Sequence, residues 1–289
     1  MDISGGGPAS RETPVVDPVR ADTPVNALVL SGGSAYGLGA ANGVMECLEE
    51  NGIGLKVGKI IVPIVLQSDI FDLGYGSSKV RPDAAMGRKA TQEALSGNHP
   101  ISGNVGGGTG ATIGKMCGAR QAQKAGIGYA AFQVGDVQVG AVVVVNAVGD
   151  VYENSVTIGG VMNPERTAFL DGLQVMYREI NRDGSPAKQA MDEQARTNTT
   201  IGAIVTNASF TKAQLKKIAS MARSGFSRAI NPVGTMGDGD TIYAFSVEKT
   251  VQSDVNLVGT LAAQAMECAI IHAVKSAQIS NEEFLKNVE

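Results

Sequence analysis

Apolar residues along this chain fall into short runs bounded by glycine, and the runs switch between a two-residue and a 3.6-residue period. Residues 26–31 (NALVLS) read as a strand that enters Gly32-Gly33-Ser34 and is followed by a helical pattern over 36–50. Residues 59–66 (KIIVPIVL) form a β-branched run weakened by Pro63, and 83–96 carry helical spacing. Between Gly126 and Val151 two strands, GYAAFQV and VQVGAVVVVNAV, flank Gly135-Asp136, the two-residue link of a hairpin. Residues 200–206 and 241–247 read as further strands, 212–224 as a helix opened by Thr211, and 256–277 as a long apolar helix. Strand, glycine turn and helix in that order point to an α/β fold.

Three stretches break the pattern. Residues 1–25, with Gly-Gly-Gly-Pro and two more prolines before position 20, read as an irregular lead-in. Residues 103–114 form a glycine-dense loop. Residues 150–198 are polar, hold no sustained period, and read as a surface excursion with one short helix over 187–195. Loops of that length inside a compact domain usually serve function.

Composition narrows the chemistry. With 24 Lys+Arg against 28 Asp+Glu the net charge is −4, so no positive field attracts a phosphate backbone and nucleic acid is not an expected partner. No apolar run reaches the roughly 18 residues of a membrane helix, and no basic segment leads an apolar one at the N-terminus. No membrane partner and a cytoplasmic location are therefore expected. Cys47, Cys117 and Cys268 are widely spaced and read as reduced core thiols. With only His99 and His272, a histidine-rich metal centre or a histidine-driven triad has little material.

Familiar motifs come close and fail. Ile113-Gly114-Lys115-Met116 ends like a phosphate loop, but Thr109 stands where that loop needs glycine and Met116 where it needs Ser or Thr. Gly106 to Ala111 fits GxGxxA, yet no apolar strand delivers the chain into it. Gly33-Ser34-Ala35-Tyr36-Gly37 places its serine one position early for a nucleophile elbow. Asp238-Gly239-Asp240 lacks the oxygen ligand at 242 that a calcium loop requires, and by local sequence alone is also an ordinary turn before a strand. No cofactor and no metal are expected. Lys115 is either solvated or held among backbone amides to orient a carbonyl or a carboxylate.

Asn198-Thr199-Thr200 followed by IGAIVTN joins the polar excursion to a buried-looking strand. This segment resembles the self-cleavage junction of the L-aminopeptidase/D-esterase (DmpA-type) family, whose chain is cut before a Ser or Thr at the head of a strand. GGGPASRET (5–13), LVLSGGSAYGL (28–38), IFDLGYG (70–76), VVNAVGDV (144–151) and GDGDTIYAF (237–245) extend the resemblance in order over nearly the whole chain.

The resemblance implies a single four-layer α/β/β/α sandwich over 1–289 that splits itself into 1–198 (alpha chain) and 199–289 (beta chain). It implies Thr199 as nucleophile, with its freed α-amine as base, near pKa 7.7 to 8.0. Asp238 and Asp240 match the acidic pair that orients the Thr199 amine and hydroxyl in the Asn-Thr-Thr branch, which includes nylon-oligomer hydrolases. Asn146 matches the oxyanion-hole amide, and Lys115 a lysine beside the nucleophile in that branch. Phe71 stands where relatives carry an oxyanion-binding tyrosine, and Tyr36 and Tyr75 are the candidate substitutes. The activity implied is aminopeptidase hydrolysis of a small peptide, amide or ester, in a homo-oligomer of processed heterodimers. Ornithine acetyltransferase-like acyl transfer, nylon-oligomer-type amide hydrolysis and an unprocessed, non-enzymatic relative are the alternatives.

Overall fold

The computed structural model describes residues 1–179 and 197–288. The chain opens with β1 (Asp2–Ile3) and β2 (Ala9–Arg11), then β3 (Ala27–Ser31) and α1 (Ala40–Glu50). A hairpin of β4 (Leu55–Val57) and β5 (Ile60–Val62) leads to β6 (Val65–Asp69) and α2 (Ala84–Ser96). The short β7 (Thr112–Ile113) and β8 (Gln123–Lys124) precede β9 (Ile127–Val134) and β10 (Val137–Asn146), followed by β11 (Asp150–Glu153), β12 (Val156–Gly159) and α3 (Gly172–Glu179). Beyond the undescribed stretch come β13 (Thr199–Ala208), α4 (Lys212–Ala229), β14 (Ile230–Asn231), β15 (Thr241–Val251), α5 (Val255–Lys275) and α6 (Asn281–Lys286).

Five strands form the large sheet in the order β1-β15-β13-β10-β9, antiparallel except for β13 beside β15. The smaller sheet runs β2-β6-β3. Along β10 the side chains alternate as a strand requires. Val139, Ala141, Val143 and Val145 join the core under α4 and α5, while Val142 and Val144 face the smaller sheet with Leu66, Ile70 and Ile201. Helices α1 and α2 pack on each other and α1 on β3 and β6, so the layers run α4/α5, large sheet, small sheet, α1/α2. The sheets are tied by Leu66 against Ala203 and Tyr243, and by a 2.7 Å hydrogen bond between Ser68 Oγ and the Tyr243 hydroxyl. This is the four-layer α/β/β/α arrangement that the resemblance implies.

Helix α4 is opened by a capping box in which Thr211 accepts from Gln214 N–H and Gln214 accepts from Thr211 N–H. It crosses α5 at Gly225, where a Cβ would lie 2.4 Å from Ala263 O, so only glycine lets the backbones meet. Helix α5 corrects the expectation that no apolar run reaches membrane length: it is long and apolar enough to span a membrane, and it packs instead along β9, β10 and α4.

Several expectations are corrected. The lead-in is not irregular: Asp2 and Ile3 pair with Ile242 and Thr241, and Ala9–Arg11 pairs with β6. Backbone pairing recruits these residues, which their Gly/Pro content concealed. Pro63 breaks 59–66 into two separate strands, since proline offers no ladder N–H. The helix anticipated over 36–50 starts as a 3₁₀ turn through Gly39, in a glycine-rich stretch. The excursion after Asp150 begins with an ordered hairpin whose Asp150 and Val151 are buried, while the helix anticipated over 187–195 lies outside the described residues. Of the cysteines only Cys47 is buried; Cys117 and Cys268 are half-buried.

Candidate active site

The site forms where β10 ends and β13 begins. Antiparallel register sets Asn146, the last residue of β10, opposite Thr199, the first of β13. One residue earlier Asn198 bridges Asp238, in the loop that feeds β15, so Thr199 lies between the end of one strand and the acidic loop before another. Asn146, Lys115, Asn198, Thr199, Asp238 and Asp240 are all buried. The structure thus brings together all six residues singled out from the sequence.

Two donors converge on the carbonyl oxygen of Asn198. Thr199 Oγ1 donates to it at 2.5 Å, and Gly239 N–H donates from the opposite side of the loop at 2.8 Å. Gly239 has no space for a side chain, because a Cβ there would lie 2.8 Å from Thr199 Oγ1. The hydroxyl and the backbone N–H together polarise the Asn198 carbonyl, and the hydroxyl lies beside the peptide bond that precedes it.

Asp240 accepts Thr200 N–H on Oδ1 at 2.5 Å and Gly234 N–H on Oδ2 at 2.9 Å. Asp238 accepts from both Thr235 N–H (2.7 Å) and Thr235 Oγ1 (2.6 Å) on Oδ2. The pair therefore holds the strand after Thr199 and the loop around it, and neither carboxylate is hydrogen bonded to the Thr199 hydroxyl. Orientation of that hydroxyl by the pair, as the resemblance implies, is not the arrangement found while Thr199 N sits in a peptide bond. Burial raises both carboxyls above their ordinary range, and their proximity adds to the rise at Asp240.

On the acyl side, Asn146 Nδ2 donates to Thr197 O (3.2 Å) and Phe71 O (2.9 Å), while its Oδ1 accepts Thr112 N–H and Lys115 Nζ. Lys115 Nζ also reaches Asn146 O at 2.9 Å and Thr197 O at 3.4 Å. Burial lowers the Lys115 ammonium to about 7, opposed by the carboxylates of Asp238, Asp72 and Asp240. Lys115 is thus held among backbone groups rather than solvated. Of the two candidate tyrosines, Tyr36 is exposed beneath Arg81, and Tyr75 lines a cavity shared with Lys115 and Thr197.

Sequence reasoning missed three contributors. Gly239 N–H is a backbone donor that no side-chain pattern reveals. The Gly5-Gly6-Gly7 segment lies across the acidic loop, with Ser4 and Gly5 N–H on Asp240 O, Gly6 N–H on Thr235 O and Gly7 N–H on Asp238 O. Its triple glycine was the available signal. Lys124 is buried and donates to Gly108 O, Ala111 O and Ala125 O, fixing the glycine loop beside Lys115. That loop serves close packing rather than a phosphate: Gly107 abuts Leu30 O and Gly108 abuts Gly103 O. Among the described residues, no group of three or more His, Cys, Asp or Glu side chains is placed to hold a metal ion.

The model of Peptidase family S58 matches residues 1–283. The chain belongs to this family. It is 36% identical over 304 residues to an uncharacterized aminopeptidase of Mycobacterium leprae (strain TN), covering 96% of this chain and 79% of that protein. It is 30% identical to a 6-aminohexanoate-oligomer endohydrolase of Paenarthrobacter ureafaciens, covering 86% of this chain and 72% of the relative. Its fold is shared with the L-aminopeptidase D-Ala-esterase/amidase of Ochrobactrum anthropi, described as a variant of the Ntn-hydrolase fold, at a TM-score of 0.56 and 18% identity, over 89% of this chain and 72% of that one. As a member of a peptidase family, this protein is an amide-bond hydrolase.

Proposed function

We propose that the protein is a self-processing N-terminal-nucleophile hydrolase that splits between Asn198 and Thr199 and then acts as an aminopeptidase on short peptides, amides or esters. The observation that carries this reading is the Asn198 carbonyl oxygen held between Thr199 Oγ1 and Gly239 N–H.

Thr199 Oγ1 adds to the Asn198 carbonyl carbon, and Gly239 N–H stabilises the oxyanion. The C–N bond breaks, the hydroxyl proton passes to the Thr199 nitrogen, and an ester links Asn198 to Oγ1. Water cleaves that ester into an Asn198 carboxylate and a Thr199 that carries both a free hydroxyl and a free amine. The amine, near pKa 7.7 to 8.0, then accepts the hydroxyl proton as a substrate carbonyl is attacked, so no histidine is needed. His272 is bonded to Tyr129 instead, and His99 is exposed. Lys115 Nζ and Asn146 Nδ2, which converge on Thr197 O, supply donors on the acyl side.

The same reading carries a cytoplasmic homo-oligomer of processed heterodimers. Light scattering of the purified protein tests the assembly. For the chemistry, the split protein is offered alanine p-nitroanilide, short peptides, aminohexanoate oligomers, and acetylornithine with glutamate. Release of nitroaniline or of N-terminal residues supports the aminopeptidase reading. Internal cleavage of the oligomers alone replaces it with the activity named for the Paenarthrobacter relative, and acetyl transfer alone with an acetyltransferase.

A further inference from the structure

A cavity of about 100 Å³ opens beside the acyl side of the candidate site. Thr197 and Lys115 form the wall nearest the reacting bond, and the apolar part of the lining comes from Phe71, Tyr75, Ala119, Phe284 and Val288. The charged groups at its edge are turned to other partners: Lys115 Nζ to Asn146, and Asp72 Oδ1 to Gly33 N–H at 2.7 Å. What the cavity presents is therefore aromatic and aliphatic carbon. Phe71 contributes an apolar edge here.

The far wall comes from the C-terminal segment and is fastened in place. Val288 bridges Tyr75, Gly76 N–H donates to Asn287 O at 2.7 Å, and the Phe284 ring lies 5.4 Å from that of Tyr75. Arg166 covers the other face of Phe284 at 4.6 Å and holds Asn281 at 3.0 Å. A wall held by this many contacts sets a size limit instead of yielding to a large group.

We propose that this cavity is the acyl-side specificity pocket, which admits an aliphatic acyl residue and excludes bulky or charged ones, with Phe284 and Val288 setting its depth. This rests on the hydrolase reading above. A space of about 100 Å³ walled by carbon and backed by a fastened segment suits an aliphatic side chain better than a large aromatic one. A charged side chain would lose its hydration and find no partner. Thr197 lies on the N-terminal side of the bond that Thr199 attacks, so the group that enters belongs to the acyl component.

The test compares kcat/KM for alanine, leucine and phenylalanine p-nitroanilides on split protein, in wild type, Val288→Ala and Gly74→Val. Gly74 lines the cavity, and a Cβ added there meets nothing within 4 Å, so a valine at the rim narrows the entrance without forcing the backbone to move. In wild type phenylalanine turns over at least about tenfold less well than leucine. Val288→Ala raises the phenylalanine/alanine ratio about tenfold, and Gly74→Val lowers the leucine/alanine ratio about tenfold, the discrimination that one or two buried carbons provide. Ratios within twofold of wild type in both variants overturn the pocket while leaving the hydrolase reading intact. Split wild-type protein that turns over none of the three overturns both.

Discussion

Asn146 donates its side-chain amide to the carbonyl of Thr197, one residue short of the Asn198 carbonyl that lies under the Thr199 hydroxyl. In the intact chain the amide matched to the family's oxyanion donor is thus engaged with the segment before the reacting bond, and Gly239 N–H serves the bond itself. On the proposed reading, splitting frees Asn146 to receive an incoming acyl group. Asn146→Ala in split protein is expected to lower kcat by about 10²- to 10³-fold, the usual cost of one oxyanion donor. Steady-state hydrolysis of alanine p-nitroanilide measures it, and a kcat within threefold of wild type contradicts the role.

Thr199 and Thr200 are neighbours with opposite expectations. Thr200 Oγ1 is buried with no hydrogen-bond partner among the described residues, whereas Thr199 Oγ1 lies on the Asn198 carbonyl. Thr200→Val removes a buried hydroxyl that makes no bond and is expected to split normally, with stability unchanged or raised by about 1 kcal/mol. Thr199→Val is expected to remain one chain. Mass spectrometry of both variants decides, and the reverse pattern moves the nucleophile to Thr200.

Asp240 accepts the N–H of Thr200 directly, so it fixes the backbone next to Thr199, the proposed nucleophile. Asp240→Asn keeps the shape and removes the charge. Splitting of newly synthesised chain is expected to slow by about 10²-fold or more, in line with the loss of a group that positions a reacting centre. A time course on a denaturing gel reads it, and an unchanged rate removes Asp240 from the machinery.

Gly5 is pressed against the acidic loop: a Cβ there would lie 2.3 Å from Asp238 O and 2.4 Å from Asp240 N. Gly5→Ala must push the loop away and is expected to cost about 1 to 3 kcal/mol, as overpacking does, and to slow splitting as well. Urea unfolding measures the first effect and the gel the second. Wild-type values in both contradict the clamp.

Asp69 gives the fold a pH dependence with a definite sign. Its Oδ1 accepts from Ser31 and Gln67, its Oδ2 is buried without a hydrogen-bond partner, and burial raises the carboxyl to about 6. Between roughly pH 4 and 6 the unfolded chain has released this proton and the folded chain still holds it, so this group's contribution falls as pH rises, by on the order of 2 kcal/mol. Asp69→Asn removes that slope. Urea midpoints at pH 4 and 6.5 for both proteins check it, and parallel slopes contradict the assignment.

How much of this was legible in the sequence depends on what kind of group carries the information. The β10 and β13 runs show themselves because both are buried on both faces, leaving unbroken strings such as VVVVN and TTIGAIVT. Thr199, Asn198, Asp238, Asp240, Asn146 and Lys115 were singled out because their side-chain types and order resemble the family motifs, and folding brings them together. Gly239 and the Gly5–Gly7 clamp act through backbone N–H groups, which every non-proline residue possesses, so only the register of β13 against the 235–240 loop reveals them. Lys124 was invisible for a related reason: its partners are three main-chain carbonyls brought together by folding. The lead-in was misread because β1 and β2 are two and three residues long and take their stability from β15 and β6, not from any pattern of their own.

On the proposed mechanism, Thr199 severs its own preceding peptide bond. Intact-mass spectrometry of freshly purified protein, repeated after incubation near neutral pH, tests it most directly. The account predicts disappearance of the 29.8 kDa chain and the appearance of two species whose masses place the break between Asn198 and Thr199, with Thr199→Ala remaining whole. A wild-type chain that persists at full mass, or a Thr199→Ala chain that splits at the same place, contradicts it.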